Sequence, residues 1–401
     1  MSLQRVVITG LGIVAPECPA VDAFWQRLFS GVSAINWVTT LNGKELRAGR
    51  LTAEIKAVDK GSLAIPKKQQ RYMDTVSQFG FMAAREALGA AGLLTREEIA
   101  ADDIGLSVGL FSGAMSATRT DPHFNLFTAA VTAYYGSILG NITIPLGISG
   151  PSHVFLSLDL AGTDAIGYAY EVIRHGKARA MLAGGSDSAF SVFVLAGFDK
   201  AGLLSRQENP PRLGCGHGKR DGSGAVPGEG AALLVLESLE SARQRGATIY
   251  GEVLGYVTSA DGSGAAGISR LLREARVERE QVDCIMANTT GCAPIDYQQA
   301  RAFRRVFGTG AASPVVTNIT WAVGHTCGAA GAMQAVASAL VLKEQRIPPV
   351  VNPGDEEDVC CLNLVARPGL ERPVRVVLQN TFGFSGKTSS LLLGKPSEGA
   401  Q

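Results

Sequence analysis

The sequence predicts an α/β protein built from layers of sheet and helix, and three features predict it. Of the 401 residues, 46% are hydrophobic and 18% are charged, a balance that excludes a disordered chain and requires a large buried core. Short apolar runs alternate with helical patterns along the chain, as they do in α/β layers. The 48 glycines have no collagen-like period and therefore indicate tight turns and close backbone approaches.

The predicted strands are short runs rich in Val, Ile and Leu. Because these runs lack polar alternation, they are typical of strands buried on both faces. In chain order they cover residues 6–10, 104–111, 178–183, 231–236, 251–257, 284–288, 314–318, 374–379 and 389–393. The predicted helices cover residues 75–92, 157–175, 265–276, 296–307 and 328–344.

Two stretches of the chain repeat one pattern, which indicates an internal duplication. Residues 157–162 open a helix of small residues, and a strand and Gly184-Gly185 follow it. Residues 324–331 open a second such helix, followed by a strand and the segment 383–386. The pattern predicts two similar halves, 1–245 and 246–401, although Ala/Gly-rich helices also recur by composition alone.

Charge and targeting signals narrow the classes of partner. Lys and Arg number 37 against 36 Asp and Glu, a net charge of 37 − 36 = +1, so a nucleic-acid or acidic-membrane partner is not expected. The N-terminus lacks the features of a signal peptide, and the longest apolar run, near 180–198, contains Asp187. The seven cysteines are odd in number and lack CxxC spacing, so a disulfide framework is not expected. We expect a cytoplasmic protein without a metal or cofactor.

A Gly-rich turn is predicted after the first strand, at Thr9-Gly10-Leu11-Gly12. A dinucleotide-binding fingerprint needs a third glycine three residues later. That position is Ala15, and Pro16 follows it. The sequence therefore does not predict a dinucleotide site here.

Two polar residues lie at the predicted starts of the small-residue helices. Asp159 is placed to cap the first helix, because a carboxylate there accepts the free N–H groups of the first turn; a catalytic acid or base is the alternative. His325 precedes the second helix and is placed to donate a hydrogen bond to a carbonyl oxygen. The alternative is a core histidine whose ring nitrogens are satisfied.

Several motifs, in order and spread over almost the whole chain, resemble the β-ketoacyl synthases of the thiolase superfamily. They are Gly150-Pro151-Ser152, the helix opening at 157–163, Ala183-Gly184-Gly185-Ser186-Asp187, Val226-Pro227-Gly228-Glu229-Gly230-Ala231, Gly324-His325 with Gly328-Ala329-Ala330-Gly331, and Asn380-Thr381-Phe382-Gly383-Phe384-Ser385-Gly386. The resemblance implies a five-layer αβαβα fold made of two duplicated halves. It also implies a dimer that works on acyl chains held by an acyl carrier protein.

The chain departs from that family at the positions that carry catalysis. The family's nucleophilic cysteine falls on Asp159, its first catalytic histidine on Asn288 and its structural lysine on Thr320, while its second histidine is retained as His325. Condensation needs a nucleophile that accepts the acyl group and two donors that hold a thioester carbonyl. Because a carboxylate is a poor nucleophile toward a thioester, no catalytic residue is expected. Cys292 and Cys327 lie in neighbouring motifs and are interpreted as small packing residues.

A ketosynthase-like chain without its nucleophile resembles the chain-length factors, which are the silent partners of type II polyketide ketosynthases. The resemblance implies a heterodimer with an active ketosynthase and a tunnel for the growing chain along the interface, in the span 112–148. Side-chain volume along the tunnel would set product length, since a packed interior has no space for an added methylene. The tunnel and interface candidates are Met115, Phe124, Phe127, Val131, Tyr134 and Tyr135. Phe384 matches the family's mobile phenylalanine at the active-site entrance.

Three other functions are compatible with the same residues. His325 and Asn288 are two donors that would hold a malonyl thioester for decarboxylation, the first alternative. A homodimer that binds acyl chains without chemistry is the second. An active condensing enzyme with a relocated nucleophile is the third.

Overall fold

A computed structural model describes residues 3–41, 44–56, 65, 70, 72–95, 99–113, 134–190, 192–206, 224–351 and 362–396. Within these ranges no helix combines the length and apolar character needed to cross a membrane. The strands are β1 (Val6–Val14), β2 (Asn36–Leu41), β3 (Lys44–Thr52), β4 (Ile104–Gly109), β5 (Ser152–Phe155), β6 (Ala180–Ser188), β7 (Glu229–Ser238), β8 (Gly251–Ser259), β9 (Cys284–Ala287), β10 (Val315–Thr317), β11 (Arg346–Ile347), β12 (Asn363–Leu364), β13 (Leu370–Glu371), β14 (Val376–Phe382) and β15 (Thr388–Gly394). The helices are α1 (Val21–Ser30), α2 (Thr75–Ala90), α3 (Ser137–Leu146), α4 (Ala161–Arg174), α5 (Val192–Lys200), α6 (Leu239–Gln244), α7 (Ala265–Ala275), α8 (Ala293–Phe307), α9 (Thr320–Val323) and α10 (Ala330–Glu344).

Two sets of strands share one topology. The first set has the order β5-β4-β6-β7-β1, and the second has the order β10-β9-β14-β15-β8. In the first set β5, β4 and β6 are parallel, whereas β7 is antiparallel to β6 and to β1. In the second set β10, β9 and β14 are parallel, whereas β15 is antiparallel to β14 and to β8. A short antiparallel pairing of β1 with β8 joins the two sets. The repeated topology confirms the predicted duplicated α/β fold; the division after residue 245 stays a prediction.

The helices form layers around and between these two sets. Helix α2 packs on β1, β6 and β7, whereas α7 packs on β8 and β15 and α8 packs on β14 and α7. Helices α4 and α10 contact strands of both sets and each other. The two sets are therefore separated by a middle helical layer and covered by an outer one on each side, which gives the predicted five layers.

The middle layer explains why its helices are made of small apolar residues. Every residue of α10 from Ala330 to Leu342 is buried, because the helix has a sheet on either side and α4 beside it. A Cβ at Gly162 would lie 2.6 Å from the carbonyl oxygen of Gly328. Only glycine lets the two backbones approach this closely.

The predicted strands and helices are confirmed to within a few residues, with one wrong turn. The segment Thr9–Gly12 lies inside β1 and is not a turn. A Cβ at Gly12 would lie 2.0 Å from the carbonyl oxygen of Ala83 in α2. These glycines serve close packing of a helix on a strand, a role that the turn interpretation missed.

Candidate functional site

The same strained turn precedes both helices of the middle layer. Before α4, the 3-10 turn Leu158–Leu160 begins with Leu158 in the left-handed region, with φ of 59°. Before α10, the 3-10 turn Cys327–Ala329 opens on Cys327 with φ of 49°. A non-glycine residue in this region costs about 1–3 kcal/mol and persists only where its surroundings enforce it. We call the turn Leu158–Leu160 the elbow of the first half and the turn Cys327–Ala329 the elbow of the second half. Both elbows begin with a left-handed residue and lead into a helix of the middle layer.

Asp159 lies on this elbow and is fully buried. Its Oδ2 accepts the backbone N–H of Phe384 at 3.1 Å, and its Oδ1 has no hydrogen-bond partner. Neither the turn nor α4 has a side-chain cap, so the predicted capping role is wrong. The carboxylate instead contacts the segment that contains Phe384.

Burial raises the pKa of the Asp159 carboxyl to about 7, and the hydrogen bond from Phe384 opposes this rise. The cause is desolvation, which penalises the charged form. The group therefore titrates near neutral pH.

The segment that follows β14 closes over this carboxyl. A Cβ at Gly383 would lie 2.7 Å from Oδ1 of Asp159, so a side chain there would displace the carboxyl. The ring of Phe384 packs on the rings of His325 and Phe198, with centroids 5.1 and 5.4 Å away. Phe384 thus contacts Asp159 through its backbone and His325 through its ring, and its role at the active-site entrance stays a prediction.

His325 is buried and carries one unpartnered nitrogen. Its Nδ1 accepts the N–H of Cys327 at 3.4 Å, while its Nε2 has no hydrogen-bond partner. Since Nδ1 accepts, the proton of the neutral ring lies on Nε2. Burial lowers the pKa of His325 to about 4, so the ring is neutral at pH 7. The alternative of a core histidine with both nitrogens satisfied is wrong.

Asn288 follows β9 and is held by a buried polar network. Its Oδ1 accepts Nε2 of Gln334 at 3.0 Å, and its Nδ2 has no partner. Gln379 Nε2 donates to Oε1 of Gln334 at 3.2 Å and to Thr163 Oγ1 at 3.1 Å. The network crosses the middle layer and holds the side-chain amide of Asn288 in place. The N–H donor of that amide stays unused.

Within the described part of the chain, Thr320, Cys292 and Cys327 offer no replacement nucleophile. Thr320, where the resemblance places the family's lysine, begins the short helix α9 and is buried. Burial raises the pKa of the Cys292 thiol to about 11 and raises that of Cys327 well above its ordinary value. Neither is a thiolate at neutral pH.

The tunnel candidates are only partly described by the structure. Met115, Phe124, Phe127 and Val131 lie outside the described residues. Tyr134 has 73% of its surface exposed, whereas Tyr135 is partly buried.

Sequence reasoning missed the function of Asp187, a buried carboxylate that joins the segment after β4 to the turn before α10. It accepts N–H groups from Phe111 at 2.5 Å and from Gly328 at 3.0 Å, together with the hydroxyl of Ser112. Gly328 follows Cys327 in the second elbow, so the carboxylate fixes one half on the other. The sequence signal that could have revealed this function is an acidic residue inside the apolar run of β6. A buried acid requires hydrogen-bond partners.

Among the described residues, the site therefore holds a carboxylate oxygen and two N–H donors without hydrogen-bond partners. Acyl transfer would begin with a nucleophile on the elbow, and Asp159 supplies a weak one. The N–H of Phe384, a donor suited to a developing oxyanion, is engaged by the carboxylate. Asn288 and His325 retain donors suited to a neutral carbonyl oxygen.

Comparisons with known proteins agree with this geometry. The family models "Beta-ketoacyl synthase, N-terminal domain" and "Beta-ketoacyl synthase, C-terminal domain" match residues 3–242 and 230–353. The 3-oxoacyl-[acyl-carrier-protein] synthase 2 of Synechocystis sp. is 31% identical over 98% of each chain. A structure of the ishigamide ketosynthase/chain length factor superposes with a TM-score of 0.86 at 28% identity, covering 99% of this chain and 100% of the other. A β-ketoacyl synthase from Burkholderia phymatum superposes with a TM-score of 0.86 at 27% identity, covering 98% and 100%. The chain belongs to the β-ketoacyl synthase family.

Proposed function

We propose that this chain is a catalytically silent chain-length factor that pairs with an active ketosynthase and shapes the tunnel for its growing acyl chain. One observation carries the proposal: the elbow bears a buried carboxylate, and that carboxylate accepts the N–H of Phe384. The likeness to the ishigamide ketosynthase/chain length factor supports it. The similarity to 3-oxoacyl synthases supports membership of the wider family. The acylation experiment below tests the silent role.

The electrostatics of the elbow support silence. Above its pKa of about 7, Asp159 places a negative charge where a malonyl carboxylate would approach. Below that pH, the neutral acid is not a nucleophile toward a thioester. The elevated thiol pKa values of Cys292 and Cys327 argue against a relocated nucleophile.

Exposed apolar residues support a partner surface beside the elbow. Tyr134, Ile144, Leu156 and Leu158 expose 73%, 69%, 53% and 39% of their surfaces. They lie on or beside α3 and β5, the edge strand of the first set. Large exposed apolar side chains support a protein–protein contact where they form one surface patch. A hollow of about 330 Å³ beside α3, lined by Tyr134, Ile144 and Tyr72, would receive side chains of the partner.

Within such a heterodimer, volume exclusion would set product length. Bulky residues in the span 112–148, including Phe127 and Tyr134, would end the tunnel, and small ones would extend it. One methylene that overfills a packed interior costs on the order of 1–3 kcal/mol. This is enough to stop elongation without chemistry in this chain.

The proposal is tested by co-expression with a β-ketoacyl synthase that retains the nucleophilic cysteine and both histidines, followed by native mass spectrometry and acylation. We expect a one-to-one complex in which the labelled acyl group is found only on the ketosynthase. The variant Asp159→Cys restores a thiol on the conserved elbow geometry and is expected to become acylated, with Asp261→Cys as the exposed control. Covalent acylation of the unmodified chain, or a homodimer that ignores the ketosynthase, would contradict the proposal.

The two unused donors favour decarboxylation as a second candidate. Nδ2 of Asn288 and Nε2 of His325 are buried and unpartnered, and two donors on a thioester carbonyl stabilise the enolate left when carbon dioxide departs. Release of labelled carbon dioxide from malonyl-carrier by the isolated chain would support this function. Its loss in Asn288→Ala would assign the donor, and no release from the isolated chain would exclude it.

A further inference from the structure

A polar hollow of about 790 Å³ lies between helices α7 and α8, apart from the elbow. Its cationic wall comes from α8 and includes Arg301, Arg304 and Arg305. Ser263, from the loop before α7, lies on the opposite side. The spacing of the arginines, three and four residues apart, places them on one face of α8.

These arginines have no anionic partner among the described residues. All three side chains are exposed, and no hydrogen bond or ion pair joins them to another side chain. Like charges three or four residues apart destabilise a helix. The negative end of the helix dipole favours Arg304 and Arg305 in the last turn of α8, but it does not explain why they converge on a hollow with Arg301.

The opposite wall adds positive potential. Helix α7 begins after Gly264, and its first turn has no side-chain cap, so its free N–H groups lie at the edge of the same hollow. Asp261 is the neighbouring acid, and its carboxylate is engaged by Ser263 and by the N–H of Gly264. On α7 itself, Arg270 pairs with Glu274 at 3.8 Å. The three guanidiniums of α8 outnumber this one carboxylate at the hollow.

The position of the hollow connects it to the segment over the elbow. A Cβ at Gly264 would lie 3.2 Å from the ring of Phe382, at the end of β14, where Gly383 and Phe384 follow. Helix α8 begins just after the segment that carries Asn288. Gly262, Ser263 and Ala265 of the hollow therefore lie near the same edge of the second strand set as the site, whereas Arg304 and Arg305 lie toward the other end of α8.

We propose that this hollow binds a phosphate group, held by the guanidiniums of Arg301, Arg304 and Arg305. Guanidinium forks bind phosphate oxygens in pairs, and helix N-termini bind phosphate through free N–H groups. The phosphate belongs either to a small phosphorylated molecule or to the phosphodiester arm of a carrier protein. The proposal does not rest on the chain-length role.

The test is a ³¹P NMR titration of pyrophosphate with the full-length chain. The variant Arg301→Gln/Arg304→Gln/Arg305→Gln is compared with a control that loses three cations elsewhere, Arg174→Gln/Arg279→Gln/Lys395→Gln. We expect the Kd to rise at least about tenfold in the first variant, because charge-assisted hydrogen bonds are lost, and to change less than about twofold in the control. Circular dichroism checks that both variants fold, as is expected for changes at the surface.

Two results would overturn the phosphate site. The first is an equal loss of affinity in both variants, which would show a response to net charge alone. The second is the absence of pyrophosphate binding at low salt. Competition by a carrier protein bearing its arm, but not by the unmodified carrier, would assign the phosphate to the arm; competition by neither would assign it to a small molecule. Equal competition by both carriers would overturn the site, because it would show recognition of acidic side chains.

Discussion

Replacing Asp159 with asparagine tests the buried carboxyl at the elbow. Asparagine keeps the shape and an oxygen that accepts the N–H of Phe384, but it carries no charge. Burial raises the pKa of this carboxyl from 3.8 to about 7 in the folded chain. The folded state thus holds a proton that the unfolded state has released, so Asp159 costs stability as the pH rises through this window.

One pKa unit corresponds to about 1.36 kcal/mol. The full shift therefore costs about 4 kcal/mol above pH 7, and roughly 2–3 kcal/mol of it develops between pH 5 and 8. Equilibrium urea unfolding of the two proteins should show a small stability difference at pH 5 and a larger gain for Asp159→Asn at pH 8. Asp261→Asn is the control, because hydrogen bonds lower the pKa of that exposed carboxyl and the effect has the opposite sign. A difference between wild type and Asp159→Asn that does not change with pH would refute the reasoning.

Three further predictions follow from the same contacts. Gly383→Ala should cost about 1–3 kcal/mol by displacing the carboxyl, and most of this cost should vanish in an Asp159→Gly background, as a double-mutant cycle by urea unfolding would show. Arg245→Met should destabilise by about 3–5 kcal/mol, because it leaves the fully buried Glu237 without its partner at 2.7 Å; no loss in the urea midpoint would contradict this. Tyr134→Ala in the complex with a ketosynthase should lengthen the product by mass spectrometry, and unchanged lengths would remove the tunnel assignment.

Much of the fold follows from local sequence patterns. Apolar runs such as that of β7 cannot sit at a surface, and Ala/Gly-rich helices such as α10 need close neighbours, so layers with a buried middle follow from composition and period. The hairpin of β2 and β3 was not predicted, because its strands mix polar and apolar residues and lack an apolar run. The edge strand β5 was missed for the same reason.

The sequence by itself determined that a carboxylate stands at position 159, where the resemblance places the family's nucleophile, because spacing from neighbouring motifs fixes position along the chain. Only the tertiary structure decided what that carboxylate does. Its partner, the N–H of Phe384, lies 225 residues away, and its burial depends on a segment from the other half. Hydrogen bonding and desolvation act between residues that are distant in sequence. No local sequence pattern therefore predicts the unused donors of Asn288 and His325 or the shifted pKa of Asp159.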